Sequence, residues 1–330
     1  MLSHNFIFDN SIPFKEKARR VFELQKEHNL VYHRFCKAMG SEEIASVKDI
    51  PLLPIEAFKE AEIVTPKKEN GELPDVWFQS SGTSRMVRSK HFISDPGLYR
   101  GSILKGMNQF YDLEDYVIWA YTPRYNENPH SSLIWMLRTL IEEDHTRLSK
   151  FLELDKPLDE KSLKEITKSG KKLMLFGAAF GFLDLIEMAD QKLPPDTIVM
   201  ETGGMKTHRL EISKVELHQK LAKGFGLPKS QIHSEYGMTE LLSQAYSFGD
   251  EWFACVPWMN VSIRDPKNPM KEVDFGEEGL IGIIDLANLY SCSFMLTGDK
   301  GIHREDGKFQ VLGRWNPKNL RGCNFLIERD

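Results

Sequence analysis

The sequence has no long hydrophobic run, no closely spaced cysteine pair and no surplus of positive charge. No apolar stretch approaches the roughly 18 residues that a membrane-spanning helix needs. The formal net charge of −5 gives no general attraction for nucleic acids or anionic membranes, and no basic stripe is present. We therefore expect a protein with no membrane span and no nucleic-acid partner.

Metal-binding and disulfide patterns are also missing. None of the cysteines forms a C-x-x-C pair, which argues against a structural zinc site or a disulfide framework. The four are Cys36, Cys255, Cys292 and Cys323. The first ten residues, MLSHNFIFDN, lack the basic and apolar regions of a secretory signal, so we expect a cytoplasmic protein.

The first 75 residues are predicted to form a mostly helical layer. Apolar side chains recur at helical spacing from Phe14 to Ala38, which predicts one helix, and Gly40 is placed to be its C′ residue. A proline-punctuated segment, DIPLLPIEAFKE, follows and leads to a short helix.

From residue 76 to residue 313 the pattern changes to strands alternating with helices. The predicted strands are YVIWAYT (116–122), KKLMLFG (171–177), DTIVMETGG (196–204), GLIGIIDLA (279–287) and KFQVLGR (308–314). The predicted helices are SSLIWMLRTLIEE, FLDLIEMADQ and RLEISKVELHQKLAKGFG. This alternation predicts an α/β fold, whose ligands gather at the carboxyl ends of the strands.

A run of five small residues is the first candidate for a binding loop. Its hydroxyls and backbone N–H groups can wrap the oxygens of a polyphosphate, and the arginines that follow can neutralise it. The run is Ser80, Ser81, Gly82, Thr83 and Ser84, followed by Arg85 and Arg88. The alternative is an ordinary surface loop, since the same residue types form turns.

A second candidate is HSEYGMTELLSQAY, residues 233–246. Tyr236 before Gly237 can present an aromatic face to a base, Thr239 can donate to a phosphate, and Glu240 can hold Mg²⁺ as an oxygen ligand. The alternative is an exposed turn, capped by Thr239, before a helix over ELLSQAY.

Two glycine-containing turns complete the set. In LTGDKGIHREDGKFQVLGR, Asp299 after a tight Thr-Gly turn can bind a ribose diol and Arg314 can reach the same nucleotide. The same segment also predicts a β-hairpin. In METGGMK, Gly203 and Gly204 permit close approach of the backbone to a ligand, and a plain tight turn is the alternative.

Taken together, these segments resemble the adenylate-forming superfamily of acyl-CoA synthetases, adenylation domains and luciferases, from about Val76 to Gly322. SSGTS resembles its phosphate loop, TGD its ribose motif, and GR with the later RG its hinge. EYGMTE, which includes Met238, resembles its adenine and magnesium motif. The resemblance implies mixed sheets flanked by helices, ATP and Mg²⁺ as cofactors, and Glu240 as the metal ligand.

Residues 314–330 are predicted to be a short hinge and tail, where the superfamily continues into a C-terminal domain with a catalytic lysine. This length, together with ETGGMK and PHSSLIWM, resembles the acyl-protein synthetases of the bacterial fatty-acid reductase complex. That resemblance implies a fatty acid activated as acyl-AMP, its transfer to Cys323, and an acyl-accepting partner such as a reductase or carrier protein.

Three residues have competing interpretations. Cys323 either accepts the acyl group, with Arg321 favouring its thiolate, or is a small buried residue. His130 either lines the acyl pocket or carboxylate site, or only caps the following helix. Lys206 either contacts phosphate in place of the superfamily lysine, or is a solvated turn residue.

The function predicted is therefore an acid–thiol ligase that forms an acyl adenylate and transfers the acyl group to a protein cysteine. One alternative ligase passes the acyl group to coenzyme A or a carrier protein. Another alternative, from a different class, is a non-catalytic nucleotide-binding subunit.

Overall fold

The computed structural model describes residues 2–41, 43–66, 73–80, 88–122, 128–188, 192–203 and 212–315. The helices of these ranges are α1 (His4–Phe8), α2 (Phe14–His28), α3 (Leu30–Ala38), α4 (Ala57–Glu60), α5 (Pro96–Met107), α6 (Ser132–Glu142), α7 (Glu160–Lys168), α8 (Ala179–Met188) and α9 (Lys214–Phe225). Within these ranges, no helix combines the length and the apolar composition needed to cross a membrane.

The strands of the same ranges form two large sheets and a two-stranded one. They are β1 (Leu53–Pro54), β2 (Trp77–Gln79), β3 (Lys90–Phe92), β4 (Tyr116–Tyr121), β5 (Lys150–Phe151), β6 (Lys172–Ala178), β7 (Ile198–Thr202), β8 (Ile232–Tyr236), β9 (Ala245–Phe248), β10 (Ala254–Cys255), β11 (Met259–Asp265), β12 (Asn268–Glu272), β13 (Gly279–Asp285), β14 (Phe294–His303) and β15 (Phe309–Arg314). The five strands predicted from the sequence correspond to β4, β6, β7, β13 and β15.

The larger sheet has seven strands in the order β10-β9-β8-β7-β6-β4-β5. The strands from β8 to β5 are parallel to one another, and β9 and β10 are antiparallel additions. Alternate residues of β4 enter different hydrophobic clusters: Ile118 faces the cluster that contains Leu137 of α6, and Trp119 faces the one that contains Leu221 of α9. Because both faces are covered, the strand reads as a continuous apolar run.

The second sheet has the order β1-β14-β13-β11-β12, and β15 also pairs with β14. β1 is parallel to β14, and the other pairs are antiparallel. The hairpin predicted near the C-terminal end of the core is therefore present as β14 and β15. The N-terminal helices pack on this sheet, where Phe294 stacks on Tyr32 at 5.5 Å between ring centroids.

The single helix predicted from Phe14 to Ala38 is wrong, because the chain forms two helices that break at Asn29. The Asn29 side chain accepts a hydrogen bond from the Tyr32 N–H and caps α3. Its amide also donates to the Ser291 carbonyl at 2.9 Å and to Thr65 Oγ1 at 3.2 Å, all buried. Periodicity alone did not reveal the break, since its cause is a partner more than 260 residues away.

Gln25 strengthens the same attachment from the preceding helix. Its buried amide nitrogen donates to the carbonyls of Asn288 at 2.9 Å and Leu289 at 3.1 Å, and its carbonyl accepts from the Ser293 N–H at 2.8 Å. Buried polar side chains are tolerated when they are satisfied in this way. The pair α2–α3 is thus tied to residues 288–293, which connect β13 to β14.

Candidate active site

The two large sheets approach each other where Tyr236, at the end of β8, reaches Asp299 in β14. The Tyr236 hydroxyl donates to Asp299 Oδ2 at 2.9 Å, and Arg314 Nε lies 3.0 Å from the other carboxylate oxygen. Burial raises the pKa of Tyr236 well above its usual value, so the phenol remains a donor. The predicted adenine, ribose and hinge residues are brought together here.

The Thr-Gly-Asp segment is not the tight turn that the sequence suggested. Thr297, Gly298 and Asp299 all lie within β14, where Thr297 Oγ1 accepts a bond of 3.1 Å from the Asp299 N–H. A Cβ on Gly298 would lie 3.3 Å from Arg314 Nη1. Glycine at this position therefore leaves room for the guanidinium beside Asp299.

Glu240 lies in the loop after β8 and is 7% exposed. Its Oε1 accepts a hydrogen bond from the Ser89 hydroxyl, and its carbonyl accepts one of 2.9 Å from the Asn288 amide. Burial raises the pKa of Glu240, and the Ser89 bond opposes the shift. The preceding carbonyl, that of Thr239, is bound by His91 Nδ1 at 2.9 Å.

Ser89 also closes the predicted phosphate loop. The Ser80 N–H donates to the Ser89 carbonyl at 3.2 Å, and the Ser89 N–H donates to Ser80 Oγ at 3.1 Å. The two ends of the loop are therefore fixed beside Glu240. The remaining predicted phosphate-binding residues lie outside the described part of the chain: Ser81, Gly82, Thr83, Ser84 and Arg85.

His130 packs at the base of the same loop. Its ring stacks on Trp77 at 3.6 Å between centroids, and its carbonyl accepts from the Gln79 N–H at 2.8 Å. Ser131, rather than His130, provides the side-chain cap of α6. The contacts of His130 thus place it against β2, the strand that leads into the predicted phosphate loop.

The helix considered as the alternative over ELLSQAY does not form, because the chain makes a turn at residues 239–240 and a bend at residues 242–243 before β9. Asp285, at the end of β13, accepts from the Leu242 and Ser243 N–H groups at 2.8 and 2.9 Å. Burial raises the pKa of Asp285 to about 6, although these bonds and the Ser243 hydroxyl oppose it. Sequence reasoning missed Asp285 as the anchor of this loop.

Met238, predicted to contact the nucleotide, is partly buried against the main core.

Glu201 in β7 is a second residue that the sequence reasoning missed. It is 1% exposed and lies 2.9 Å from Lys214 Nζ and 3.3 Å from His218 Nε2, and it accepts from the Ser234 hydroxyl. Burial by itself raises the pKa of Glu201, but Lys214 and the hydrogen bonds outweigh it and lower the pKa to about 2. Two sequence signals could have revealed this cluster. One is a glutamate within an apolar strand, and the other is a Lys and a His four residues apart in a later helix.

Glu235 in β8 is the third residue that was missed. It is 6% exposed and pairs in register with Thr202, whose hydroxyl donates to it. Burial raises the pKa of Glu235 to about 7; the Thr202 bond opposes this and the nearby Glu201 charge adds to it. Thr202 in turn precedes Gly203, whose φ of 80° lies in the left-handed region that the predicted glycine turn requires.

The described cysteines are poor thiolates. Burial raises the pKa of Cys36 to about 11, and those of Cys255 and Cys292 to about 12. Four other residues that the sequence analysis singled out lie outside the described ranges: Gly204, Lys206, Arg321 and Cys323.

Comparison with known sequences identifies the family. The family described as acyl-protein synthetase, LuxE, matches residues 9–330. A long-chain-fatty-acid–luciferin-component ligase of Vibrio harveyi is 25% identical, with 94% of this chain and 86% of that ligase aligned. A ligase of the same name from Aliivibrio fischeri is also 25% identical, over 96% of this chain and 88% of its own length.

Solved structures show the same fold at low sequence identity. 2-Hydroxyisobutyryl-CoA ligase, in complex with 2-HIB-AMP and CoA, has a TM-score of 0.64 at 16% identity, covering 91% of this chain and 69% of that one. ATP-bound MatB from Rhodopseudomonas palustris has a TM-score of 0.51 at 16% identity, covering 76% of this chain and 50% of that one. The predicted α/β fold of adenylate-forming type is therefore confirmed, and so is the predicted family. The chain belongs to the acyl-protein synthetase family and is a ligase.

Proposed function

We propose that the protein activates a long-chain fatty acid with ATP as an acyl adenylate and then transfers the acyl group to a protein thiol. The relatives from Vibrio harveyi and Aliivibrio fischeri are named as long-chain-fatty-acid ligases, which supports this substrate class. The observation that carries the proposal is the contact of Tyr236 and Arg314 with Asp299, where the two sheets approach.

The carboxylate of Asp299 can accept a ribose while it keeps its present partners. An ionised carboxylate has about four lone-pair sites, and Tyr236 and Arg314 use one on each oxygen. Two acceptor sites thus remain for the two ribose hydroxyls. Phe309 packs against the Tyr236 ring at 5.5 Å between centroids. This contact fixes the ring for the proposed stacking on the base.

The Ser80–Ser89 loop is the proposed binding site of the ATP phosphates, and Glu240 is the proposed ligand of Mg²⁺. The described ranges contain no cluster of three His, Cys, Asp or Glu side chains able to hold a metal by themselves. A lone carboxylate fits Mg²⁺, which usually takes one or two carboxylates together with substrate phosphates. When bound, Mg²⁺ would neutralise triphosphate charge, and its own charge would favour the ionised form of Glu240. Lys206 and His130 remain proposed contacts of phosphate and acyl substrate.

The chemistry has two balanced steps. A carboxylate oxygen of the fatty acid attacks the α-phosphorus, the bond to the β-phosphate oxygen breaks, and pyrophosphate leaves. A thiolate then attacks the acyl carbonyl, and AMP leaves with the electrons of the acyl–phosphate bond. Thiolates are the best side-chain nucleophiles near neutral pH.

Cys323 is the proposed acceptor of the acyl group. The three described cysteines are held as thiols by burial, which leaves them unsuited to attack. In this proposal residues 76–313 form the adenylating core, residues 1–75 the N-terminal layer, and residues 314–330 the hinge and tail that bring Cys323 to the adenylate.

Pyrophosphate exchange with ATP, measured over a panel of carboxylic acids, tests the first step. We expect exchange that depends on a long-chain acid, and a fall of about a hundredfold or more in Glu240→Gln, since several kcal/mol of charge stabilisation are lost. Glu216→Gln is the matched control, since that exposed residue pairs with Lys220 on the surface of α9. Wild-type exchange in Glu240→Gln at saturating Mg²⁺ would remove Glu240 from the site.

Labelling with radioactive fatty acid tests the second step. Cys323→Ser should retain exchange and lose the label that hydroxylamine releases, because an oxygen ester resists that treatment. Cys255→Ser should keep both activities. Full labelling of Cys323→Ser, with loss in Cys255→Ser, would move the acceptor; no labelling of the wild type would favour a free thiol such as coenzyme A.

A further inference from the structure

Glu235 occupies the point where the loops that follow β7 and β8 begin. Its carboxyl accepts a hydrogen bond from the hydroxyl of Thr202, the last residue of β7, which is the parallel neighbour of β8. Its other oxygen stands so close to Gly237 that a Cβ at that position would collide with it. One side chain therefore contacts the start of both loops.

Residues of the proposed nucleotide site lie at the end of each strand or directly after it. Gly203 directly follows Thr202, and Tyr236 and Gly237 directly follow Glu235. The Tyr236 hydroxyl holds Asp299, so a shift of the β8 end would move the group proposed to bind the ribose. We therefore expect the separation of the ends of β7 and β8 to depend on where the Glu235 carboxyl lies.

The hydrogen-bond partner of the Glu235 carboxyl is the Thr202 hydroxyl rather than a cation. Glu201, on the adjacent strand, is itself ionised and is the partner of Lys214. The charge of Glu201 raises the pKa of Glu235, and the ammonium of Lys214, at the start of α9, acts in the opposite direction. The phenols of Tyr99 in α5 and Tyr246 in β9 also couple to Glu235, and burial raises the pKa of both. Burial likewise raises the pKa of Glu235 to about 7, so its neutral form is substantially populated at neutral pH.

We propose that Glu235 is a positioning residue whose neutral carboxyl, joined to Thr202 and packed on Gly237, sets the spacing of the carboxyl ends of β7 and β8, where the proposed nucleotide-binding segments begin. Ionisation adds a second negative charge beside that of Glu201, and the repulsion between the two carboxylates moves the ends of β7 and β8 apart, which weakens ATP binding. This inference rests on the proposed function, because it assigns the loops to ATP.

The Michaelis constant for ATP, measured by pyrophosphate exchange between pH 6 and pH 8.5, tests the titration. We expect the wild-type constant to rise several-fold as pH passes 7, and the Glu235→Gln constant to stay flat, with kcat little changed in both. The amide of glutamine has the shape of the neutral carboxyl and cannot ionise. The same rise in Glu235→Gln as in the wild type would overturn the proposal.

Thr202 provides a second test that leaves Glu235 in place. Thr202→Val removes the hydroxyl and should raise the constant for ATP about tenfold at pH 6, the effect of one buried hydrogen bond. Thr202→Ser keeps the hydroxyl and should restore wild-type binding. Wild-type behaviour of Thr202→Val would overturn the link between the loops.

A readout without substrate separates this proposal from the proposed function. Hydrogen exchange at the amides of Gly203 and Gly237, corrected for the intrinsic effect of pH, should be faster in Thr202→Val than in Thr202→Ser. If the wild type catalyses no pyrophosphate exchange while this difference remains, the function fails and the positioning role stands. Equal protection in the two variants overturns the positioning role whatever the activity.

Discussion

Glu201 and Glu235 lie on neighbouring strands of one sheet and are almost equally buried, yet their carboxyls behave in opposite ways. Glu201 has the ammonium of Lys214 at 2.9 Å, and its pKa is lowered to about 2. Glu235 has a hydroxyl in place of a cation, and burial raises its pKa to about 7. Depth of burial alone does not decide ionisation; the presence of a cation within reach does.

Lys214→Met removes the cation that distinguishes Glu201 from Glu235, and we expect it to have the largest effect on stability. Methionine keeps the packing on Phe253, over whose ring the ammonium lies at 4.8 Å, but leaves Glu201 buried without its cation. We expect a loss of about 3–5 kcal/mol in the free energy of unfolding at pH 7, as for other buried pairs that lose one partner. Chemical denaturation measures the loss. Lys220→Met, which removes an exposed pair on the same helix, is the control and should cost less than about 1 kcal/mol.

The Glu235→Gln variant should change the pH dependence of stability by a smaller amount. Because the folded pKa of about 7 exceeds the ordinary 4.5, stability contributed by neutral Glu235 is complete below pH 4.5 and is lost as pH rises through 7. The wild type should therefore lose about 3 kcal/mol relative to the variant between pH 4 and pH 8.5. Denaturation at a series of pH values checks this. Parallel curves would contradict it.

Arg314→Met extends the comparison to a third carboxylate and should have the smallest effect on stability. Arg314 is 59% exposed where it pairs with Asp299, so water already solvates much of its charge. We expect a change of less than about 1 kcal/mol in the free energy of unfolding. Calorimetric titration with ATP should nevertheless show weaker binding, since the same guanidinium belongs to the proposed nucleotide site. A loss as large as that in Lys214→Met would mean that exposure does not set the strength of these pairs.

Short sequence motifs predicted most of the residues of the candidate site. Tyr236, Asp299 and Arg314 are 63 or more residues apart or lie on opposite strands of a hairpin, yet their residue types and the family resemblance predicted that they would contact one nucleotide. The strands were predictable because both faces of the large sheet are covered, so each strand is a short apolar run. The contacts of Glu201 and Glu235 were not predictable, since they depend on the register of β7 with β8, which the sequence does not state.

Local patterns failed where a distant partner overrode them. The helical periodicity from Phe14 to Ala38 continues through Asn29, but the chain bends there because the side chain of Asn29 finds the Ser291 carbonyl. Thr297 and Gly298 have the composition of a turn, but both lie within β14. The Thr297 hydroxyl donates to the Ile281 carbonyl at 2.9 Å, and the Gly298 carbonyl accepts from the Trp315 N–H at 2.9 Å. Both errors have the same physical origin: long-range hydrogen bonds outweighed local propensity.

The attachment of Gln25 and Asn29 to residues 288–293 also has a consequence for synthesis. These contacts join residues about 262 to 268 positions apart, so α2 and α3 leave the ribosome long before their binding surface exists. Until then the apolar faces that include Phe22 and Tyr32 have no sheet to cover them. The N-terminal helices should therefore dock late, and during elongation they are a natural binding region for chaperones that recognise exposed apolar surface.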